Sequence, residues 1–103
     1  MSTPGRIAFA RIADAALGHA EVLVRRWLPD GRREGAEWVA LNPTRADKRK
    51  GSFKINLHTG RWSDFATADA GGDLIALAAY LFYLDQPEAA RKIAAALGID
   101  PHE

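Results

Sequence analysis

Apolar residues recur at helical spacing through the first quarter of the chain. Phe9, Ile12, Ala13, Ala16, Leu17, Ala20, Leu23, Val24 and Trp27 fall three and four positions apart, which gathers them on one face of a helix. Thr3-Pro4 suits a cap followed by a first-turn proline, and Pro29, Asp30 and Gly31 stop the pattern. The periodicity therefore predicts one helix over residues 4–28, with Gly18 weakening its interior.

Beyond Gly31 the period changes. Trp38 to Leu41 reads as a short strand closed by Asn42-Pro43, and Ser52 to His58 alternates, Phe53, Ile55 and Leu57 against Ser52, Lys54 and Asn56. Such alternation marks a half-buried strand. Thr59-Gly60 is a turn whose glycine can take a positive φ, so Arg61 to Phe65 should return antiparallel. From Gly72 the pattern is helical again. Asp73 is the expected N-cap of an apolar, buried helix over residues 74–84. Asp85 and Glu88 give a capping-box-like start to a last helix, with Pro87 in its first turn and Gly98 and Pro101 at its end. Together these elements predict an α+β fold, one domain over residues 1–103. A three-stranded antiparallel sheet is backed by an N-terminal helix and two C-terminal helices, and only the first and last few residues are loose.

Composition narrows the function classes. The chain has 103 residues, about half apolar and a quarter charged, which suits one soluble core. No segment approaches the length of a membrane span and no leader pattern precedes the first helix, so a cytoplasmic protein without a membrane partner is expected. There is no cysteine, which removes disulfides, thiol chemistry and the usual structural zinc ligands. The net charge of +1 conceals an asymmetry: ten of the fourteen Lys and Arg but four of the thirteen Asp and Glu lie between Arg25 and Arg61. A middle stretch this basic favours a polyanion, against the plainer reading of a solvated surface.

The densest basic run is Ala46-Asp47-Lys48-Arg49-Lys50. With Arg45, Lys54 and Arg61 beside it and Trp62 available to stack a base, it predicts a phosphate-tracking interface of Arg45, Lys48, Arg49, Lys50, Lys54, Arg61 and Trp62. Trp62 and Phe65 fall on opposite faces of their strand, and the sequence leaves open which of them is exposed. Catalysis finds less support. Asp64, Asp69 and Asp73 are the one carboxylate group, at a spacing that fits neither a helix face nor a metal loop, and His19, His58 and His102 lack ligand spacing. Gly71-Gly72 at a helix start could offer N–H groups to a phosphate, but the Asp73 carboxylate repels an anion. Neither an enzyme activity, a metal nor a cofactor is expected.

The succession Asn42-Pro43-Thr44-Arg45, Gly51-Ser52-Phe53-Lys54-Ile55, Trp62, Phe65, Gly71-Gly72-Asp73-Leu74-Ile75 and the closing Leu97-Gly98-Ile99 resembles the N-terminal zinc-ribbon domain of bacterial and phage DNA primases. The resemblance covers residues 36–99 and leaves the first helix outside, as an addition seen in phage or plasmid replication proteins. It places Asn42 and Arg45 where the family has its first Cys and His, and Asp64 and Thr67 at the second ligand pair. Arg45 cannot ligate zinc and the other three are oxygen groups that suit it poorly, so the resemblance implies a degenerate, zinc-free ribbon. Structural zinc contributes roughly 10–16 kcal/mol to small domains. The expected replacement is apolar, a cluster of Trp38, Phe53, Trp62 and Phe65, with an Arg45–Asp64 ion pair across the former site.

The function that the resemblance implies is a noncatalytic module for single-stranded or template DNA. It would be the N-terminal part of a phage- or plasmid-type primase or primase–helicase, joined to catalytic domains or a replication partner. The alternative is a protein-docking domain without nucleic-acid binding, whose first helix meets a partner or a second copy.

Overall fold

The computed structural model describes residues 5–46, 48 and 50–103. It is an α+β fold whose order is α1 (Phe9–Gly18), α2 (Ala20–Trp27), β1 (Arg32–Glu34), β2 (Glu37–Ala40), β3 (Phe53–Asn56), β4 (Trp62–Asp64), β5 (Asp69–Gly71), α3 (Leu74–Phe82) and α4 (Gln86–Leu97). The strands form an antiparallel meander in the order β1-β2-β3-β4-β5. The sheet thus has five strands, not the expected three. The two additions are edges: β1 is fully exposed and β5 nearly so, so they form through backbone pairing without an apolar face of their own.

The N-terminal segment also differs from expectation. One helix over residues 4–28 is in fact two, broken at His19, whose φ of −124° leaves the helical region. Gly18 makes this break cheap, because an exposed glycine contributes least to helix stability. The break lets the halves serve different neighbours: α1 packs on α3 and α4, and α2 on β2. The C-terminal helices begin as the sequence predicts. Asp73 Oδ1 accepts from the Ala76 N–H at 2.8 Å and Asp85 Oδ1 from the Glu88 N–H at 2.8 Å, while Gly98 closes α4 at a φ of 70°. α3 ends less comfortably, on Tyr83 at a φ of 56°, a left-handed position that normally takes glycine.

Register fixes the two sides of the sheet. Trp38, Ile55, Trp62 and Gly71 are successive cross-strand partners, as are Ala40, Phe53, Asp64 and Asp69, and this side faces the helices. Its apolar members join Ile12, Leu23, Val24, Leu74, Leu77 and Ile93 in one core. The opposite side carries Arg32, Val39, Lys54, Ser63 and Ala70 as cross-strand partners. Both buried indoles find acceptors: Trp38 Nε1 donates to the Leu28 carbonyl at 3.0 Å and Trp62 Nε1 to the Asp73 carbonyl at 3.2 Å. A buried Trp needs such a partner to avoid an unsatisfied donor.

The paired glycines before α3 play unequal parts. A Cβ on Gly71 would collide with the Trp62 indole, whereas one on Gly72 would meet nothing within 4 Å. Gly71 is therefore the flat seat on which the Trp62 ring lies. The last few residues are not loose, contrary to expectation, whereas the first four, of which the same was expected, lie outside the described residues. Ile7 bridges His102, Ala8 N–H donates to the Pro101 carbonyl at 2.9 Å and Glu103 N–H to the Arg6 carbonyl at 2.8 Å. Arg11 adds bonds to the Asp100 and His102 carbonyls at 2.7 Å each.

The contrast between the glycines is testable by thermal or denaturant unfolding. Gly71→Ala is expected to cost about 1–3 kcal/mol through overpacking against Trp62, whereas Gly72→Ala should stay within about 0.5 kcal/mol of wild type. Equal effects at the two positions would remove the seat argument.

Candidate nucleic-acid interface

Two loops meet at one end of the sheet, the β2–β3 connection and the β4–β5 turn. Between them lies a polar cluster built on Asp64, which is 0% exposed. Asn42 Nδ2 donates to Asp64 Oδ2 at 2.8 Å and also to the Tyr80 hydroxyl at 2.8 Å, so both amide protons are used. Arg45 Nε reaches Asp64 Oδ2 at 2.9 Å, and its terminal nitrogen reaches Asp64 Oδ1 at 3.3 Å and Ser52 Oγ at 3.1 Å. The Ala66 N–H supplies a further donor to Asp64 Oδ1 at 2.9 Å. Tyr80, on α3, passes its own proton to Asp69 Oδ2 at 2.8 Å. Thr44 Oγ1 lies 2.7 Å from Asn42 Oδ1 and 3.0 Å from the Tyr80 hydroxyl, and donates to one of them.

Burial alone would push the Asp64 carboxyl upward, but hydrogen bonds from Arg45, Asn42, the Ala66 N–H and Ser52 outweigh it and hold the group well below the usual carboxylate range. No buried side-chain nitrogen or oxygen among the described residues lacks a partner. That completeness matters, because a buried ion pair stabilises only when its remaining lone pairs and protons are also satisfied. Among the described residues the cluster is a fully satisfied hydrogen-bond network. Its one buried carboxylate already faces a guanidinium, and a cation would have to displace that group. Among the described residues no three His, Cys, Asp or Glu side chains gather as a ligand set.

Of the four residues that the resemblance would set at ligand positions, Asn42, Arg45 and Asp64 converge here, with the expected Arg45–Asp64 pair. Thr67 does not join them; it is exposed on the β4–β5 turn, where its N–H donates to the Asp64 carbonyl at 3.2 Å. The aromatic cluster also differs from expectation. Trp38, Phe53 and Trp62 are core, but Phe65 is 74% exposed. Its place is taken by Tyr80, whose ring lies tilted 4.7 Å from that of Trp62. The packed rings of Phe53, Trp62 and Tyr80 and the Arg45–Asp64 pair therefore occur together, with Tyr80 joining the aromatic group to the polar one. Tyr80 and Ser52 were the participants that sequence reasoning missed; the sign of Tyr80 is a polar-tipped ring in an otherwise apolar helix.

The predicted phosphate contacts separate into two groups. Lys48, Lys50 and Arg61 are exposed and Lys54 is half-buried; Lys54 lies on the sheet side opposite the core, and Lys48 and Lys50 on the adjoining loop. Arg49 falls outside the described residues. Arg45 serves the cluster, with 27% of its side chain exposed. Trp62 is 6% exposed, so it offers no ring face to a base and the stacking role expected of it does not hold. Between Lys54 and Arg61 the sheet side away from the core forms a shallow depression of about 460 Å³, floored by Asn56, Ser63 and Ala70 and edged by Glu37. The carboxylates Asp64, Asp69 and Asp73 are each engaged in structure, as ion pair, tyrosine acceptor and helix cap.

Neither the family models nor the curated proteins compared with the chain gave a match.

The depressed Asp64 pKa sets a pH dependence. The folded state binds this proton less readily than the unfolded chain, so the stabilisation is complete above about pH 4 and is lost as pH falls through the folded value. Asp64→Asn should lower stability at pH 7 by roughly 1–3 kcal/mol, since it weakens the charged hydrogen bonds of a guanidinium that keeps partial contact with water. It should also flatten the decline of melting temperature between about pH 5 and pH 2. A variant with wild-type stability and an unchanged pH slope would contradict the cluster's role. Because the network closes without an ion, treatment with a strong chelator should leave the melting midpoint of the wild-type protein unchanged.

Proposed function

We propose that the chain is a noncatalytic nucleic-acid-binding module for single-stranded or template DNA, a zinc-free counterpart of the primase ribbon it resembles. The observation that carries this reading is the two-sidedness of the sheet. One side is filled by the core, while Lys54, Arg61 and the loop residues Lys48 and Lys50 lie away from it, and none of these four forms an ion pair among the described residues. Unpaired cations beside an open, shallow sheet surface suit a phosphate backbone. The ribbon likeness is supported by the meeting of Asn42, Arg45 and Asp64 from two loops, where the family would hold its metal. The noncatalytic reading is supported by the structural engagement of the three carboxylates.

The second reading, a docking domain, draws on the helical side. Phe82 is 37% and Tyr83 79% exposed at the end of α3, and the Trp27 ring meets Phe82 edge-on at 6.1 Å. A titration with single-stranded DNA at several salt concentrations separates the two. If Lys48, Lys50, Lys54 and Arg61 neutralise four phosphates, the logarithm of affinity should fall with the logarithm of salt at a slope of about −3. Replacing all four by Ala should flatten that slope. No binding by the wild type, or binding indifferent to salt, would favour docking.

A further inference from the structure

Phe65 is an exposed ring on a rigid support. Its N–H donates to the Ser52 carbonyl at 3.0 Å, extending the β3–β4 ladder by one bond beyond the Phe53–Asp64 pair. The residues after it are wound around Asp64. Ala66 N–H binds Asp64 Oδ1 at 2.9 Å, Thr67 and Ala68 N–H groups bind the Asp64 carbonyl at 3.2 and 2.8 Å, and Ala68 takes a left-handed φ of 65°. Asp64 is in turn held by Arg45 and Asn42. A buried ion pair thus fixes a turn that holds a phenylalanine, 74% exposed, in water. Ordering such a contact in advance lowers the entropy lost when a ligand meets it.

The register sets a lysine diagonal to this ring. Ser63 pairs with Lys54, which makes Phe65 the diagonal neighbour of Lys54, at the spacing of about 7–8 Å usual for such pairs. Ser52, the ladder partner of Phe65, leads back through Gly51 to the exposed Lys50 and Lys48. In the ladder, Phe65 thus has Lys54 on its diagonal and a partner, Ser52, two residues after Lys50.

We propose that Phe65 is a stacking platform for one unpaired nucleobase of a strand whose phosphates are held by Lys54, Lys50 and Lys48. The inference rests on the nucleic-acid reading above and adds the aromatic contact that Trp62, being buried, cannot make. An exposed aromatic flanked by cations is how single-strand binders hold bases without reading their sequence. A duplex offers the ring no open base face, so the contact belongs to single strands, loops or frayed ends.

The test is binding of a fluorescently labelled oligothymidylate by the full chain, over a salt series, with thermal melts to confirm that each variant is folded. Phe65→Ala and Phe65→Leu should each weaken binding roughly 5- to 100-fold without changing the salt slope. Phe65→Trp should restore affinity and bring an added indole emission that the oligonucleotide quenches. Lys54→Ala should also weaken binding, but by reducing the salt slope by about 0.7. Wild-type affinity in Phe65→Ala, or in Phe65→Leu, which keeps an apolar contact but loses the ring, would overturn the platform alone. If the wild type binds no oligonucleotide at any salt concentration, the nucleic-acid reading falls and the platform with it.

Discussion

A carboxylate taken wholly out of water is tolerated only if every lone pair is met, and at Asp64 the donors that meet it come both from its own turn and from a distant loop. Asn42 and Arg45 arrive from the β2–β3 loop and Ala66 from the β4–β5 turn, and Tyr80 reaches the same network from α3 through Asn42. Removing any one of them would strand a charge or a polar atom in the interior, which costs more than an average hydrogen bond contributes. The group therefore fixes the relation of two loops and a helix at once. A tetrahedral metal site crosslinks two loops by a similar convergence, with directional bonds to a central ion in place of donors around a central carboxylate.

The other end of the arrangement is steric. Trp62 lies flat on Gly71, edge-on to Phe53 at 6.3 Å, and under Tyr80. The helix carrying Tyr80 begins at Asp73, whose carbonyl accepts the Trp62 indole proton and whose carboxylate caps α3. Strand, turn and helix are thus registered by the same few atoms. The short segment from Asp69 to Leu74 has little freedom to move without disturbing both the aromatic stack and the polar network. This rigidity gives the opposite side of the sheet, with Lys54, Ser63 and Ala70, a fixed shape.

What could be read from the sequence followed from where burial leaves a periodic trace. The alternation of Phe53, Ile55 and Leu57, the apolar run from Leu74, and the caps at Asp73 and Asp85 each state their structure locally. Strands β1 and β5 leave no such trace, because Arg32-Arg33-Glu34 and Asp69-Ala70-Gly71 pair through their backbones and bury little. The break at His19 was equally hidden: the apolar spacing continues across it, and only the different partners of α1 and α2 reveal the need for a bend. At the candidate site, the Arg45–Asp64 pair was anticipated only through the family resemblance, which sets the two residues across one site. The exchange of Phe65 for Tyr80 could not be anticipated, since which of two rings faces inward depends on a helix that arrives from later in the chain.

The bridge between Ile7 and His102 has its own implication. Glu103 donates to Arg6, and a Cβ on Gly5 would sit 2.8 Å from the Glu103 carbonyl oxygen. Residues 101–103 are thus clamped on residues 5–8, so a pull on either segment is carried by both segments and by α1 together, as a seam bears load along its whole length.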